Sequence, residues 1–514
     1  MIKKNNLFNE HQEKIVTKET LINFRKKNKD KKIIICHGVF DIVHPGHVRH
    51  LLYAKQKADI LIVSVTSDIH INKGIYRPHV PESLRALNLS AFEVVDFVVI
   101  DKNPEPYDLI KKIKPNFFAK GFEYIESKNK KTEKEIEILN SYGGEIIFTP
   151  GDYINSSSKL INNSEPDLRH EKLLTILNKH NLTLEDIESA VKNIKKLKID
   201  VLGDTIVDSY TYCKMIGGQT KTPTISLLHE KKIDYVGGAG IVAKHIAASG
   251  NIVNFLTVLG DDDLKKFVLK DLKKSKVNFN GYIDKIRPTV NKNAFVSEEY
   301  RLLKVSKLDN SQINFKIVKT LSKQLASSRS NGVIFSDFRH GIFNKSTIEY
   351  FKKSIKNKKK FLAADSQVAS WWGNILEFNN FDLITPNEKE ARFALMDQIS
   401  GIRSLASRIY DKSKCKFLIM KLGKRGLLAC INNKHHNSDS YFTLDSFATQ
   451  VIDPVGAGDA LLAYSTMSMI VTNCKITSTI IGIIAASCEC EKNGNIPISK
   501  NDILNKIADI KKNI

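Results

Sequence analysis

Two histidines three residues apart, His44 and His47, flank Gly46 in the run His37-Gly38-Val39-Phe40-Asp41-Ile42-Val43-His44-Pro45-Gly46-His47. The run follows a short apolar segment and leads into a helical pattern, which sets both imidazoles at a helix start. Amide N–H groups there attract anions, a glycine lets the backbone approach closely, and imidazoles can donate to an α-phosphate as negative charge grows on it. That is chemistry for nucleotidyl transfer without a covalent intermediate. Taken alone, the pair reads equally as loop histidines or a metal pair. Far along the chain, Gly456, Ala457 and Gly458 precede Asp459 in VIDPVGAGDALLA. Small residues before a helix expose N–H groups to charge on a transferred phosphoryl, and a carboxylate beside them can take a hydroxyl proton. By itself a G-x-G-D string is weak evidence.

The elements that must hold these residues alternate between strand and helix. A polar helical lead ends near Asp30, a strand spans Lys32 to Cys36, and a helix begins near His47. Further strands are predicted at Ile60–Thr66, Phe97–Ile100, Phe117–Ala119 and Glu145–Phe148, with helices between them. This is a parallel, doubly wound α/β domain over residues 31–162. Residues 163–196 are polar, carry helical periodicity in EKLLTILNKH and LEDIESAVKNIKKL, and read as a helical linker. The strand Ile199–Leu202 opens a second, longer α/β domain, residues 197–514, running through GVIFSD, FLAAD, DLITPN and FLIMKLG. No short fixed period points to a solenoid or propeller.

A chain of 514 residues is long enough for two or three domains, and 42% apolar with 26% charged residues is ordinary for a globular protein in water. The net charge of +23 would favour phosphate-rich ligands or nucleic acid. Its lysines are scattered, as in Lys352, Lys353, Lys356, Lys358, Lys359 and Lys360, without interleaved stacking aromatics, so a solvated surface is the expectation and no nucleic-acid or membrane partner is inferred. Seven cysteines lack C-x-x-C or zinc-like spacing. The N-terminal MIKKNNLFNEHQEK has no apolar signal core, so a cytoplasmic protein is expected.

The first string resembles the HxGH signature of the cytidylyltransferase-like nucleotidyltransferases, through Gly38, Phe40, Asp41, His44, Gly46 and His47. The resemblance implies a Rossmann-like domain with His44 and His47 catalytic. It further implies that Lys73, Arg77 and Arg85 hold the triphosphate and the acceptor phosphate, and that Lys120, before Gly121, lies near the substrate. Asn155-Ser156-Ser157-Ser158-Lys159-Leu160-Ile161 is similar to the family's second signature, in which Ser156, Ser157 and Ser158 would bind phosphates at a helix N-terminus; Ser158 stands where threonine is usual.

The second string resembles the D-T-G-A-G-D signature of the ribokinase-like carbohydrate kinases, with Asp453 and Asp459 in register and Val455 where threonine is common. The resemblance implies a ribokinase-like fold with a small β lid, Asp459 as base, Gly456, Ala457 and Gly458 as anion hole, and Asn387 with Glu390 positioning Mg2+ and water. Asp204, Asp208, Gly237 and Gly238 resemble the sugar-contacting segments, and strands around Thr222–Leu228 resemble a lid that in this family can build a homodimer interface. Ile241 replaces a common asparagine, and Asp365-Ser366-Gln367 replaces D-P-K.

Together the two domains resemble the bifunctional heptose-phosphate kinase and heptose-1-phosphate adenylyltransferase family, whose usual order puts the kinase first. The implied enzyme phosphorylates a sugar or sugar phosphate with ATP and transfers a nucleoside monophosphate to a sugar 1-phosphate, releasing pyrophosphate. ATP, or CTP at the first site, and Mg2+ are the implied cofactors, and sugar phosphate and NTP the small-molecule partners. Two alternatives stay open: a kinase-like domain that only binds sugar, and an RNA-binding protein suggested by charge and by the related motif of class I aminoacyl-tRNA synthetases. The chain has no K-M-S-K-S run.

Overall fold

Apolar runs of five to seven residues separated by amphipathic helices bury both faces most readily as a parallel sheet covered on each side. The computed structural model describes residues 11–71, 77–121, 130–149, 169–216, 225–298, 300–356, 358–367, 374–432 and 440–513. They form two compact units, one built on the residues before Leu168 and the other mostly on those from Arg169 onward.

In the first unit, α1 (Lys18–Lys27), β1 (Ile33–Gly38), α2 (Pro45–Lys55), β2 (Ile60–Thr66), α3 (Glu82–Ser90), β3 (Phe97–Asp101), α4 (Tyr107–Ile113), β4 (Phe117–Gly121), α5 (Lys130–Asn140) and β5 (Glu145–Thr149) follow one another. The strands pair in parallel in the order β3-β2-β1-β4-β5. Strand alternation divides the core: Ile34, Leu61, Val63 and Val98 pack on one face, Ile33, Ile35, Ile62 and Val99 on the other. The order reverses between β1 and β4, so β1 delivers His37 and Gly38 to the crevice that such a switch point leaves. The strand expectations lie within two residues of these bounds, but α2 starts at Pro45 rather than near His47.

The second unit begins with α6 (Arg169–Lys179) and α7 (Leu184–Asn193), the latter started by a Thr183–Asp186 capping box. Leu173, Leu177, Ile187 and Val191 are buried in one core with Ile199, Val201 and Val253 of the sheet. From Arg169 on, the stretch expected to be a linker is therefore part of the second unit, because its apolar stripe has a surface to cover.

The strands are β6 (Lys198–Gly203), β7 (Thr205–Met215), β8 (Leu227–Gly238), β9 (Ile252–Leu256), β10 (Val258–Gly260), β11 (Asn278–Phe279), β12 (Tyr282–Asp284), β13 (Asn291–Ser297), β14 (Tyr300–Lys307), β15 (Gly332–Asp337), β16 (Phe361–Ser366), β17 (Leu383–Ile384), β18 (Leu418–Lys421), β19 (Leu427–Cys430) and β20 (Tyr441–Leu444). Nine of them form a sheet, β11-β9-β6-β15-β16-β17-β18-β19-β20, parallel up to β18 and antiparallel at β18–β19 and β19–β20. Four form a second sheet, β14-β13-β7-β8. Of the lid expected around Thr222–Leu228, residues 222–224 lie outside the described residues.

Helices α8 (Ala239–Ala248), α9 (Glu388–Leu395), α10 (Ala457–Thr472), α11 (Lys475–Cys490) and α12 (Lys500–Lys512) complete the elements that bear on the site. Most of α10 and α11 is buried, which suits helices apolar on nearly every face. Among the described residues no helix is long and apolar enough to cross a membrane.

Candidate functional sites

In the first unit the chain leaves β1 and turns through Phe40, a non-glycine residue with φ of 50°. The turn buries the Phe40 ring in the core and against His47, with ring centroids 5.1 Å apart. His44 caps α2, its Nδ1 accepting from the Gly46 N–H at 3.1 Å, while Pro45 starts the helix with no N–H to satisfy. An accepting Nδ1 leaves the proton of a neutral imidazole on Nε2, the nitrogen free to donate to a ligand. Burial holds His44 below the ordinary histidine value, which favours that neutral form. The His44 and His47 rings lie 3.9 Å apart, a spacing that two neutral rings tolerate better than two charged ones. A Cβ on Gly46 would come within 2.9 Å of His44 Cε1, so this arrangement needs the glycine.

Several residues expected at the phosphates do different work. Asp41 accepts from the N–H groups of His79 and Val80, both at 2.9 Å, and lies 3.4 Å from Arg77 Nη1. Arg85 is fully buried and donates to the carbonyls of Val39, Thr66 and Val80 and to Asp68 Oδ1. With their polar groups spent on backbone and on each other's segments, Asp41 and Arg85 position the turn rather than hold phosphate. Phe40 likewise acts as packing under His47. Lys120 donates to Thr132 Oγ1 at 2.9 Å and pairs with Glu135 from α5. Lys73, Ser156, Ser157 and Ser158 lie outside the described residues. His37 and His50 went unnoticed as site candidates: His37 Nδ1 bonds Ser64 Oγ and His50 Nδ1 bonds Thr149 Oγ1, each at 2.9 Å. For His50 the signal was its place three residues after His47, on the same helix face.

In the second unit Gly456 is the N-cap of α10 with φ of 88° and no side-chain cap. Asp453 shapes the preceding turn, Oδ1 accepting from the Val455 N–H at 3.1 Å. Burial, with Asp365 adding, raises the Asp459 carboxyl well above the usual carboxylate range, while Lys421 opposes the rise. A base that must take a hydroxyl proton works better with such a value. Lys421, at the end of β18, donates to Asp365 Oδ1 at 2.9 Å and Oδ2 at 2.7 Å. Burial works against its charge, but Asp365, Glu390 and Asp459 outweigh it and hold the ammonium above the ordinary lysine value.

Asn387 and Glu390 form a reciprocal capping box for α9: Asn387 Oδ1 accepts from the Glu390 N–H at 2.8 Å, and the Glu390 carboxylate accepts from the Asn387 backbone and side-chain N–H groups, each at 2.6 Å. The cap fixes Glu390 in a buried position, where burial, opposed by Lys421 and reinforced by Asp365, pushes its carboxyl up to about 7. A structural cap and a role beside a nucleotide are thus compatible in one residue.

Among the residues expected to contact sugar, Asp204 accepts from the N–H groups of Phe338 at 3.0 Å and His340 at 3.2 Å, which commits it to holding the turn after β15. Asp208 is the freer carboxylate; it accepts from Asn495 Nδ2 at 3.0 Å, and Lys292, Lys304 and Arg301 are the cations that offset its burial. Gly237 and Gly238 act by lacking a side chain. A Cβ at Gly237 would strike Asp208 Oδ2, and Gly238 takes φ of 59° to start α8. Ile241 is fully buried. Sequence reasoning missed Lys421, whose signal was a charge closing an apolar strand, and Arg339, which pairs with Asp337 Oδ2 at 2.9 Å and bonds Ser366 Oγ at 3.0 Å.

The family model for pfkB family carbohydrate kinases matches residues 196–496, and the cytidylyltransferase-like model matches residues 35–164. Bifunctional protein HldE of Campylobacter jejuni is 45% identical over 115 residues, 22% of this chain and 25% of that protein. The protein of the same name from Nitratiruptor sp. is 43% identical over 106 residues, 20% and 23% of the two chains. The chain thus spans about a quarter of the length of the curated relatives it matches. Among solved structures, the tetrameric inhibited form of phosphofructokinase-2 from Escherichia coli aligns with a TM-score of 0.51 at 18% identity, over 61% of this chain and 99% of that one. The same protein in complex with potassium gives 0.51 at 19% identity over the same shares. At such identity these structures establish the fold of the second unit alone. The reversed domain order expected from the resemblance is withdrawn: alignments of this extent give no support for an order differing from that of the relatives.

Proposed function

The chain belongs to the pfkB family of carbohydrate kinases, with a cytidylyltransferase-like unit beside the kinase fold, and on that premise we propose a bifunctional enzyme that makes an activated nucleotide sugar. The observation that carries the reading is the pairing, in one chain, of a His44-capped helix bearing stacked imidazoles with a glycine-capped helix bearing Asp459.

In the kinase reaction the acceptor hydroxyl gives its proton to Asp459 as its oxygen attacks the γ-phosphorus of ATP, and ADP departs. Gly456, Ala457 and Gly458 present backbone N–H groups to the charge on the transferred group. A magnesium ion carried in on nucleotide phosphates needs only one or two protein carboxylates, and the Asn387–Glu390 pair, with Glu390 as that carboxylate, would position it through water. Bound there, it would screen the phosphate charge. Lys292, Lys304 and Arg301 around Asp208 favour an acceptor that already carries a phosphate.

In the other reaction an oxygen of a sugar 1-phosphate attacks the α-phosphorus of the NTP and pyrophosphate leaves, while His44 and His47 donate to the oxygens that gain charge. Arg77, Lys73 and the Ser156–Ser158 run supply the remaining phosphate contacts in this reading. ATP is the preferred donor and CTP the alternative, and the resemblance of the two domains to the heptose-phosphate family supports an ADP-heptose-like product for surface polysaccharide. The enzyme works in the cytoplasm. Homodimers form through the four-stranded sheet, which exposes Met215, Leu228, Leu303 and Val305.

A panel of sugar phosphates offered with ATP or CTP, with ADP and pyrophosphate release followed separately, tests the reading. Both products are expected, each with its own acceptor. Release of pyrophosphate alone would reduce the second unit to a sugar-binding module.

A further inference from the structure

We propose that Lys421 is a catalytic residue of the phosphoryl-transfer site, donating a hydrogen bond to the γ-phosphoryl group as it passes from ATP to the acceptor. The proposal rests on the kinase reading above.

Lys421 closes β18, whose other residues, Leu418, Ile419 and Met420, are buried and apolar. A charged amine in such a place loses hydration that one ion pair restores only in part, so replacing the pair by apolar residues would ordinarily cost little. An ammonium also has three N–H donors. Asp365 engages it through two oxygens, at 2.9 and 2.7 Å, and among the described residues the side chain has no further acceptor within hydrogen-bond distance.

The surroundings indicate what the remaining donor faces. A Cβ built on Gly458 would lie 3.2 Å from Lys421 Nζ and 3.4 Å from its Cδ, so the amine rests against the small-residue turn that starts α10. The N-terminal end of a helix is electropositive, and no side chain caps this one. The ammonium, kept charged by Asp365, Glu390 and Asp459, and the uncapped helix N-terminus both attract a further anion placed between them. A transferred phosphoryl is such an anion, and Asp459 in the first turn of the same helix is the base beside it. Asp365 is then a positioning residue, holding the amine toward the glycines.

In the step itself, the acceptor oxygen bonds to the γ-phosphorus while the bond from that phosphorus to the β–γ bridging oxygen breaks. The hydroxyl proton goes to Asp459, and the electron pair of the broken bond stays on ADP. Lys421 neither gives nor takes a proton; its hydrogen bond strengthens as charge gathers on the phosphoryl oxygens.

The test uses the full chain with Lys421→Met and Lys421→Arg. Calorimetric titration with the imido analogue of ATP and with ADP, each with magnesium, should show one nucleotide site of Lys421→Met weakened tenfold or more for the analogue and less than threefold for ADP, with partial recovery in Lys421→Arg. With a sugar phosphate that the unaltered protein phosphorylates, kcat should fall about 10²- to 10³-fold in Lys421→Met, as for other lost donors to developing charge. The acceptor KM should move less than threefold, and pyrophosphate release should be unchanged. Equal weakening for both nucleotides with a lowered Tm is the pattern of a purely structural pair and would overturn the proposal, as would unaltered affinity and kcat. Should the unaltered protein release no ADP with any sugar phosphate, the kinase reading fails and the analogue titration still decides Lys421.

Discussion

Both units set their signature residues at the start of a helix, yet they prepare that end in opposite ways. At α2 the cap is a side chain: His44 satisfies the Gly46 N–H, and burial favours its neutral form with Nε2 as the donor. At α10 the cap is Gly456 with no side-chain acceptor on the first amides, and charge is concentrated around them in Asp459, Asp365, Glu390 and Lys421. The difference follows the chemistry. Displacing pyrophosphate needs donors that follow charge without moving a proton from the acceptor phosphate, whereas phosphorylating a hydroxyl needs a base.

The largest expected effect breaks one side of this comparison only. Asp459→Asn should lower sugar-phosphate-dependent ADP release about 10³-fold, the middle of the range for lost general-base catalysis, and leave pyrophosphate release intact. His47→Ala should do the reverse, with a loss of about 10² to 10³ in pyrophosphate release. Loss of both activities in either variant would mean that the two helix ends do not serve separate reactions.

A smaller effect concerns scaffolding. Arg85→Ala leaves Asp68 with Arg403 at 2.7 Å as its remaining cation and strips the carbonyls of Val39, Thr66 and Val80 of a donor, so it should destabilise the first unit by about 1–3 kcal/mol, read as a lower denaturation midpoint of that unit. A midpoint unchanged with activity lost would return Arg85 to the phosphates. Smallest is the contrast in pH dependence. Asp459 must be ionised to act and its pKa is raised, so ADP release should fall on acidification at a pH well above the ordinary carboxylate range. The His44 pKa is lowered from 6.5, so pyrophosphate release should persist below that pH. Coincident acid limbs in the two pH–rate profiles would contradict this.

Strand positions were legible because β-branched runs such as Ile60–Thr66 are buried along their whole length and bounded by turns. The motif positions were legible too, but residue type alone could not separate contact from support. Asp41 and Arg85 look like phosphate-site residues in the sequence, whereas in the fold they bond the backbone of Val39, Thr66, His79 and Val80 around the turn that carries the histidines. Lys421 stayed hidden for the converse reason: in a chain with 79 Lys and Arg, one more lysine carries no signal until its partner, 56 residues earlier, is brought beside it. In 163–196 the helical periodicity was legible, but not the surface on which the stripe from Arg169 onward packs.

Helix α6 packs on β20 and α7 against α10, α11 and α12, and Lys172 reaches Asp445 beyond β20 at 2.8 Å. An excised fragment starting at residue 197 would lose the buried Leu173, Leu177, Ile187 and Val191 from the second unit's core and leave the apolar faces they pack against in water. Anyone separating the two activities should cut ahead of Arg169, which makes these two helices the practical border of the kinase.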